Sequence, residues 1–289
     1  MAEPRPVIVV GSLHYDLMVE AGGWPALGET IAARGWRPKL GGKGRNQAVA
    51  ARRAGAPTTM VGRIGDDQFG RELADDLVQR GIDTSQLVTG AERTGISVAI
   101  TEPGGDYRAF IVSSANLELG LADLPRDWPT GAVLVLQNEV SAACNLAAAQ
   151  AASAAGAHVI LNAAPYRTLA PELLAALDLI VVNAVEAAQL AGVAEPTTLD
   201  AALAAAQALS FRVRAAIVTA GAAGCAYADS RQAFALPAEP VRVISSHGAG
   251  DSFVGTLAAA LAGGQSPETA MRAASAAAAR LISTADVAH

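Results

Sequence analysis

Short apolar, β-branched runs alternate along this chain with segments of helical character, and that alternation leaves few folds open. VIVVGS (7–12), TTMVGRIG (58–65), VLVLQ (133–137), HVILNAAP (158–165), LIVVN (179–183), AAIVTAG (215–221) and CAYAD (225–229) read as strands. Between them NQAVAARRA (46–54), FGRELADDLVQRG (69–81), residues 141–155, PELLAAL (171–177), VEAAQLAG (185–192) and LDAALAAAQALS (199–210) read as helices, and a last long helix is expected over roughly 252–263. Strands apolar on both faces need cover on both faces. The pattern therefore predicts an α/β fold of three layers, a mostly parallel central sheet with helices on either side. A length of 289 residues suits one such domain, read here as 1–289, with at most a small appendage.

Two segments break the rhythm. Residues 15–40 contain Trp24, Trp36, Pro25, Pro38 and several glycines. Residues 94–112 alternate, pass through Pro103-Gly104-Gly105-Asp106, and alternate again, which reads as a β-hairpin. Together they are expected to form a small second sheet. It is either a plain surface hairpin and loop, or a lid over the C-terminal ends of the parallel strands, where open α/β sheets bind ligands.

Composition narrows the partners. No apolar run reaches the length of a membrane span, and the start, MAEPRPVIVVGS, lacks a basic segment followed by a long apolar one. Cys144 and Cys225 lie far apart in unlike contexts, so neither a disulfide framework nor a metal pair is expected, and a reducing cytoplasm is the simplest setting. A net charge of −6 argues against nucleic acid as a partner.

The stretch SHGAGDSF (246–253) carries the first chemical signal. Small residues leading into a helix let backbone amides approach an anion, and the helix terminus adds partial positive charge. A carboxylate at Asp251 would repel a bound phosphate, unless its task is to take a proton from an attacking hydroxyl while Gly248, Ala249 and Gly250 hold the transferring group. Taken alone, GAGD reads first as an ordinary helix start with an acidic first turn. A second cluster, Gly41-Gly42-Lys43-Gly44-Arg45-Asn46, also leads into a helix. Two such starts suggest two halves of a ligand site, with Asn46 able to donate and accept toward sugar hydroxyls. Lys43 taken alone reads rather as a solvated surface charge. GxxxxGK[ST] is absent from the sequence, which excludes a Walker-type loop.

With these motifs the chain resembles the ribokinase (PfkB) family of carbohydrate and nucleoside kinases. The resemblance covers nearly the whole length. It rests on residues 41–70 and 245–253, and on GSLHYD (11–16), QNEV (137–140), NAAP (162–165), NAVE (183–186) and TAGAAG (219–224) in that order. It implies a ribokinase-like fold and transfer of the ATP γ-phosphoryl group to a primary alcohol, with Mg²⁺ and a closing lid. It further implies a homodimer formed through the lid sheets.

Position by position, the resemblance makes Asp16, Gly42, Lys43, Asn46 and Glu139 substrate-binding. It associates Asn183 and Glu186 with nucleotide phosphate and, indirectly, Mg²⁺, and puts Thr219, Gly221 and Gly224 near the nucleotide. Gly248, Ala249 and Gly250 become the anion hole and Asp251 the base. Each has a plainer reading: Asp16 as a turn cap, Glu139 as a helix-start charge beside Ser141, and Asn183 with Glu186 as a capping box.

Departures from the family pattern matter as well. Ser245 and Ser246 stand where an Asp-Thr pair is usual, so K⁺ activation is expected to be weak. His247 replaces a common Thr, at the pocket edge or as a passive loop residue. His14 stands where ribokinases tend to have Asn, and with Tyr15 it is expected to reshape the sugar pocket. Arg45 replaces a small residue, facing either an acidic substituent or solvent. The final residues, 285–289, lack the family's Gly near Asp286, so the adenine and cation surround is expected to be altered. The substrate is thus expected to be a sugar or sugar acid. Alternatives are a nucleoside, with Tyr15, Trp24, Trp36 and Tyr107 lining its pocket, these aromatics being equally readable as lid core or dimer interface, and a non-catalytic ligand-binding relative.

Overall fold

A computed structural model describes residues 5–101 and 107–284. Strand β1 (Val7–Val10) runs straight into a seven-residue β2 (His14–Glu20), and β3 (Gly35–Gly41) returns antiparallel to it, pairing His14 with Gly41. Helix α1 (Lys43–Arg53) follows at once, and β4 (Thr58–Gly65), α2 (Gln68–Gln79) and β5 (Asp83–Gly90) come next. Strands β6 (Gly95–Thr101) and β7 (Tyr107–Val112) form the expected antiparallel hairpin, whose Pro-Gly-Gly-Asp turn lies outside the described residues.

From there strand and helix alternate: β8 (Val133–Gln137), α3 (Ala142–Ala154), β9 (His158–Asn162), α4 (Pro171–Ala176), β10 (Leu179–Asn183), α5 (Ala184–Ala191), α6 (Leu199–Ser210) and β11 (Ala215–Thr219). Strands β12 (Cys225–Asp229) and β13 (Ala233–Leu236) precede α7 (Ala249–Ala262) and α8 (Pro267–Ser283).

Nine strands form the central sheet in the order β13-β12-β11-β10-β9-β8-β1-β4-β5. All neighbours are parallel except β12 with its two partners. Burial explains the arrangement. Val9, Val135, Ile160 and Val181 pack on α1, α2, α7 and α8, whereas Val10, Leu136, Leu161 and Val182 pack on α3 to α6. Each central strand is apolar on both faces because both faces are covered.

The small sheet, ordered β3-β2-β6-β7, leaves the main one at the C-terminal ends of β1 and β5. It therefore stands beside the strand ends where open α/β sheets hold ligands. Its outer members expose Trp36, Phe110, Ile111 and Val112.

Three sequence expectations need correcting. The helix over 252–263 is not the last: α8 adds 17 residues. Its alanine run hides the polar–apolar contrast that reveals a helix, although Ser266 as N-cap and Pro267 in the first turn were a readable start. Both glycine-flanked helices begin three residues earlier than the sequence suggested, α1 at Lys43 and α7 at Ala249. Finally, β5 and β13 carry too much polar or small character to stand out as strands.

Candidate functional site

The site begins where β1 turns into β2. The missing Cβ of Gly42 (φ 92°) would sit 2.8 Å from Ser12 O, Leu13 Cα and His14 N, and that of Gly44 would sit 2.6 Å from Ser12 N. Only glycine lets the start of α1 lie on this connection. Ser12 then ties the two together, its O accepting from Arg45 N at 2.9 Å. The Ser12 hydroxyl donates to Glu139 Oε2 at 2.5 Å, and the same oxygen accepts from Lys43 N at 2.9 Å. Glu139 is thus drawn to the positive end of α1, not to that of α3 beside it, which Ser141 caps.

His14 is buried against Glu139, with Nδ1 3.7 Å from Oε2, and burial lowers its pKa while the Glu139 and Asp16 carboxylates pull the other way. Asp16 is buried as well. Ser97 donates to its Oδ1 at 2.5 Å, and burial raises its pKa against the opposing pull of Ser97, His14, His247 and Lys39. His247, exposed on the loop before α7, is therefore felt by the Asp16 carboxylate on β2, and Asn46 beside the first glycine cluster reaches Asp251 beside the second.

Asp251 is the third residue of α7, whose N-cap, Gly248 (φ 81°), offers no side chain to the first-turn amides. Only 7% of Asp251 is exposed. Asn46 Nδ2 donates to its Oδ2 at 3.1 Å and Gln47 Nε2 to its Oδ1 at 3.0 Å, both from α1. Burial raises its pKa to about 6, against the Lys43 charge and the two amide donors, with Glu139 adding to the rise. A carboxyl so placed is ionised at neutral pH yet holds a proton far better than an exposed aspartate, which suits a base. Above it, a Cβ on Gly250 would meet nothing within 4 Å, so the first turn of α7 presents open space for an anion. The Ala249 amide already donates to Ser246 O of the preceding loop at 3.3 Å.

At the end of β10 Asn183 and Glu186 form the capping box anticipated as the plainer reading, each accepting the other's backbone N–H at 2.9 Å. Glu186 is nevertheless buried in the site's field. Burial raises its pKa, with Lys43 drawing it down and Asp251 pushing it up. Lys43, half-buried, is felt by His14, Asp251 and Glu186 alike and is no mere solvated charge. Thr219 ends β11 directly beside Asn183. Gly221 (φ 54°) faces open space, whereas a Cβ on Gly224 (φ 119°) would clash with Leu236 O, so a side chain there would unseat this loop from the end of β13. No group of three or more His, Cys, Asp or Glu able to hold a metal occurs among the described residues, so a divalent ion here would need oxygens from a bound phosphate.

Two expectations fail on geometry. Tyr15 does not line the cleft; its ring stacks on Phe69 at 4.2 Å and its hydroxyl donates to Glu72 at 2.8 Å. Arg45 meets neither solvent nor an open pocket, because it is buried against Asp76, with NH2 2.6 Å from Oδ2. Sequence reasoning missed Ser12, Ser97, Gln47 and Asn162. Gln47 Nε2 also donates to Asn162 Oδ1 at 3.0 Å, a contact spanning 115 positions that no local pattern announces.

Known proteins resemble this chain over most of its length. Residues 5–289 match the family described as pfkB family carbohydrate kinase. Over 269 residues the chain is 35% identical to a ribokinase of Mus musculus, covering 90% of this chain and 83% of that protein. A ribokinase of Arabidopsis thaliana is 32% identical over 298 residues, covering 96% and 76%. The solved structure of Arabidopsis thaliana ribokinase complexed with ribose and ATP superposes with a TM-score of 0.85 at 30% identity, covering 98% of this chain and 93% of that one.

Proposed function

The chain belongs to the pfkB family of carbohydrate kinases, and from that premise we propose that it transfers the γ-phosphoryl group of ATP to a primary hydroxyl of ribose or a close pentose analogue, with Asp251 as base. It is an ATP-dependent sugar kinase. The observation that carries the finer reading is the buried, doubly hydrogen-bonded Asp251 beside an uncapped helix start.

Asp16 and Asn46 bind sugar hydroxyls from the β2 and α1 sides. Asp251 accepts the proton of the attacking hydroxyl. The amides of the first turn of α7 and the Lys43 charge take up negative charge on the transferring group. Thr219 and Gly221 lie along the nucleotide's side of the cleft. Glu186 would hold Mg²⁺ indirectly, through water, the ion itself being bound mainly by the nucleotide; such an ion offsets phosphate charge. The small sheet acts as the lid and, through its exposed Trp36, Phe110, Ile111 and Val112, as the contact between two copies. Two buried, unpaired cysteines suit a cytoplasmic setting, and no helix among the described residues is long and apolar enough to cross a membrane.

A sugar is favoured over a nucleoside because Tyr15 is committed to Phe69 and Glu72, and Trp24 lies under the guanidinium of Arg108 at 4.6 Å. ATP consumption with Mg²⁺ across pentoses, hexoses, sugar acids and nucleosides tests the reading. Ribose or a near analogue should give the highest kcat/KM; preference for a nucleoside would overturn the substrate class. Glu186→Gln should raise the Mg²⁺ concentration needed for half-maximal rate about tenfold, with sugar KM and thermal stability little changed, since Gln preserves the capping box. A Mg²⁺ titration matching wild type would remove Glu186 from that role.

A further inference from the structure

Arg45 is the residue the family resemblance explains least, yet four of its N–H groups are directed at named acceptors. Nε and NH2 both donate to Asp76 Oδ2, at 3.2 and 2.6 Å, and NH1 donates to Leu40 O at 3.1 Å and to Asn46 Oδ1 at 3.2 Å. Asp76 is itself held by Arg80 Nε at 2.8 Å. The guanidinium is therefore fixed by α2 and the end of β3 before it meets the asparagine beside it. Asn46 in turn directs its Nδ2 at Asp251.

We propose that Arg45 is a positioning residue: it fixes which way the Asn46 amide faces and, through that amide, how the Asp251 carboxylate is held. The inference rests on Asp251 being the base.

An asparagine amide can sit in two orientations that differ only in which end donates. Here one orientation pairs both ends, oxygen to guanidinium and nitrogen to carboxylate. The reverse would set donor against donor at Arg45 and oxygen against oxygen at Asp251. Without the guanidinium the second half of that penalty remains but the first disappears, and the amide is freer to turn. A Lys ammonium is a single point charge and cannot span Asp76, Leu40 O and Asn46 as the planar fork does.

A turned amide would cost Asp251 a donor to its charged form. The other groups felt by Asp251 are Lys43 and Gln47 from α1, Glu139 beyond β8 and Glu186 on α5, and all of them stay in place. The acidic limb of the kcat profile should then move upward.

The test compares full-length wild type, Arg45→Met and Arg45→Lys by kcat against pH, by KM for sugar and ATP, and by thermal unfolding. Arg45→Met should lose about tenfold in kcat, the scale of one charge-assisted hydrogen bond, and its acidic limb should rise by roughly half to one pH unit. ATP KM should hold. Arg45→Lys keeps a charge for Asp76 and should recover stability without recovering kcat or the limb. A lysine that restores rate together with stability, or a limb at the wild-type position in both variants, overturns the proposal. Should Arg45→Met fail to fold, Arg45→Lys decides alone. Asp251→Asn, measured alongside, separates the two levels. If it keeps near-wild-type turnover, the assignment of the base has failed. If it is inactive while the Arg45 variants behave as wild type, only the role of Arg45 has failed.

Discussion

Asp251→Asn should lower kcat roughly 10³-fold while the protein stays folded and still binds ATP. The amide matches the carboxylate in shape, and its oxygen still accepts from one of Asn46 or Gln47, so the cleft keeps its form. What is lost is the ability to take a proton. The same substitution has a predictable effect on stability. Asp251 holds its proton more tightly in the folded chain, with a pKa of about 6 against an ordinary 3.8, chiefly because it is buried. A raised pKa contributes stability that is complete below the unfolded value and is lost as pH climbs through the folded one. The ionised carboxylate therefore opposes folding at neutral pH, and Asn does not. The difference in Tm between variant and wild type should shift in the variant's favour as pH rises from about 4 to about 6. A difference independent of pH would mean that Asp251 is not the strained group described here.

Gly255→Ala and Gly250→Ala, five positions apart in α7, should fail in opposite ways. A Cβ on Gly255 would clash with Gln47 O and lie 2.6 Å from Ala50 Cβ and 2.9 Å from Ala51 N. Two of these are backbone atoms, so α1 must move away from α7. We expect a loss of about 2–3 kcal/mol, or a Tm lower by roughly 3–5 °C. Activity should fall beyond the unfolded fraction, because Asn46 and Gln47 are carried off with α1. A Cβ on Gly250 meets nothing, and alanine favours the helix by about 0.5–1 kcal/mol. Gly250→Ala should therefore be at least as stable as wild type and yet turn over at least tenfold more slowly, since the methyl group occupies the space an anion needs. Thermal unfolding and kcat measured on both variants check the pair. A stable Gly255→Ala would contradict the close approach of the two helices, and a fully active Gly250→Ala would empty the anion cradle of meaning.

The layered sheet was legible because its strands are apolar on both faces and its helix ends carry ordinary punctuation, such as Ser141 and Gly192. The two glycine-rich helix starts were legible because small residues before a helix have few other uses. Helix α8 was not, since alanine serves equally well buried or exposed and leaves no periodic trace. Nor could the sequence show that Gln47 and Asn46 reach Asp251 across 204 and 205 positions, for that depends on how α1 lies against α7. Arg45 misled for a related reason: a charge in a glycine-rich motif suggests a ligand, and its partner Asp76 is supplied by a different helix. Tyr15 misled through strand parity, because its neighbours His14 and Asp16 turn toward the cleft while Tyr15 turns to Phe69.

The most direct test is the structure of this protein with its sugar and a non-hydrolysable ATP analogue bound. One primary hydroxyl should lie within about 3.2 Å of an Asp251 carboxylate oxygen, with the terminal phosphoryl group over the amides at the start of α7. A sugar whose nearest hydroxyl lies out of hydrogen-bonding reach of Asp251, held instead against another acid such as Glu139, would contradict it.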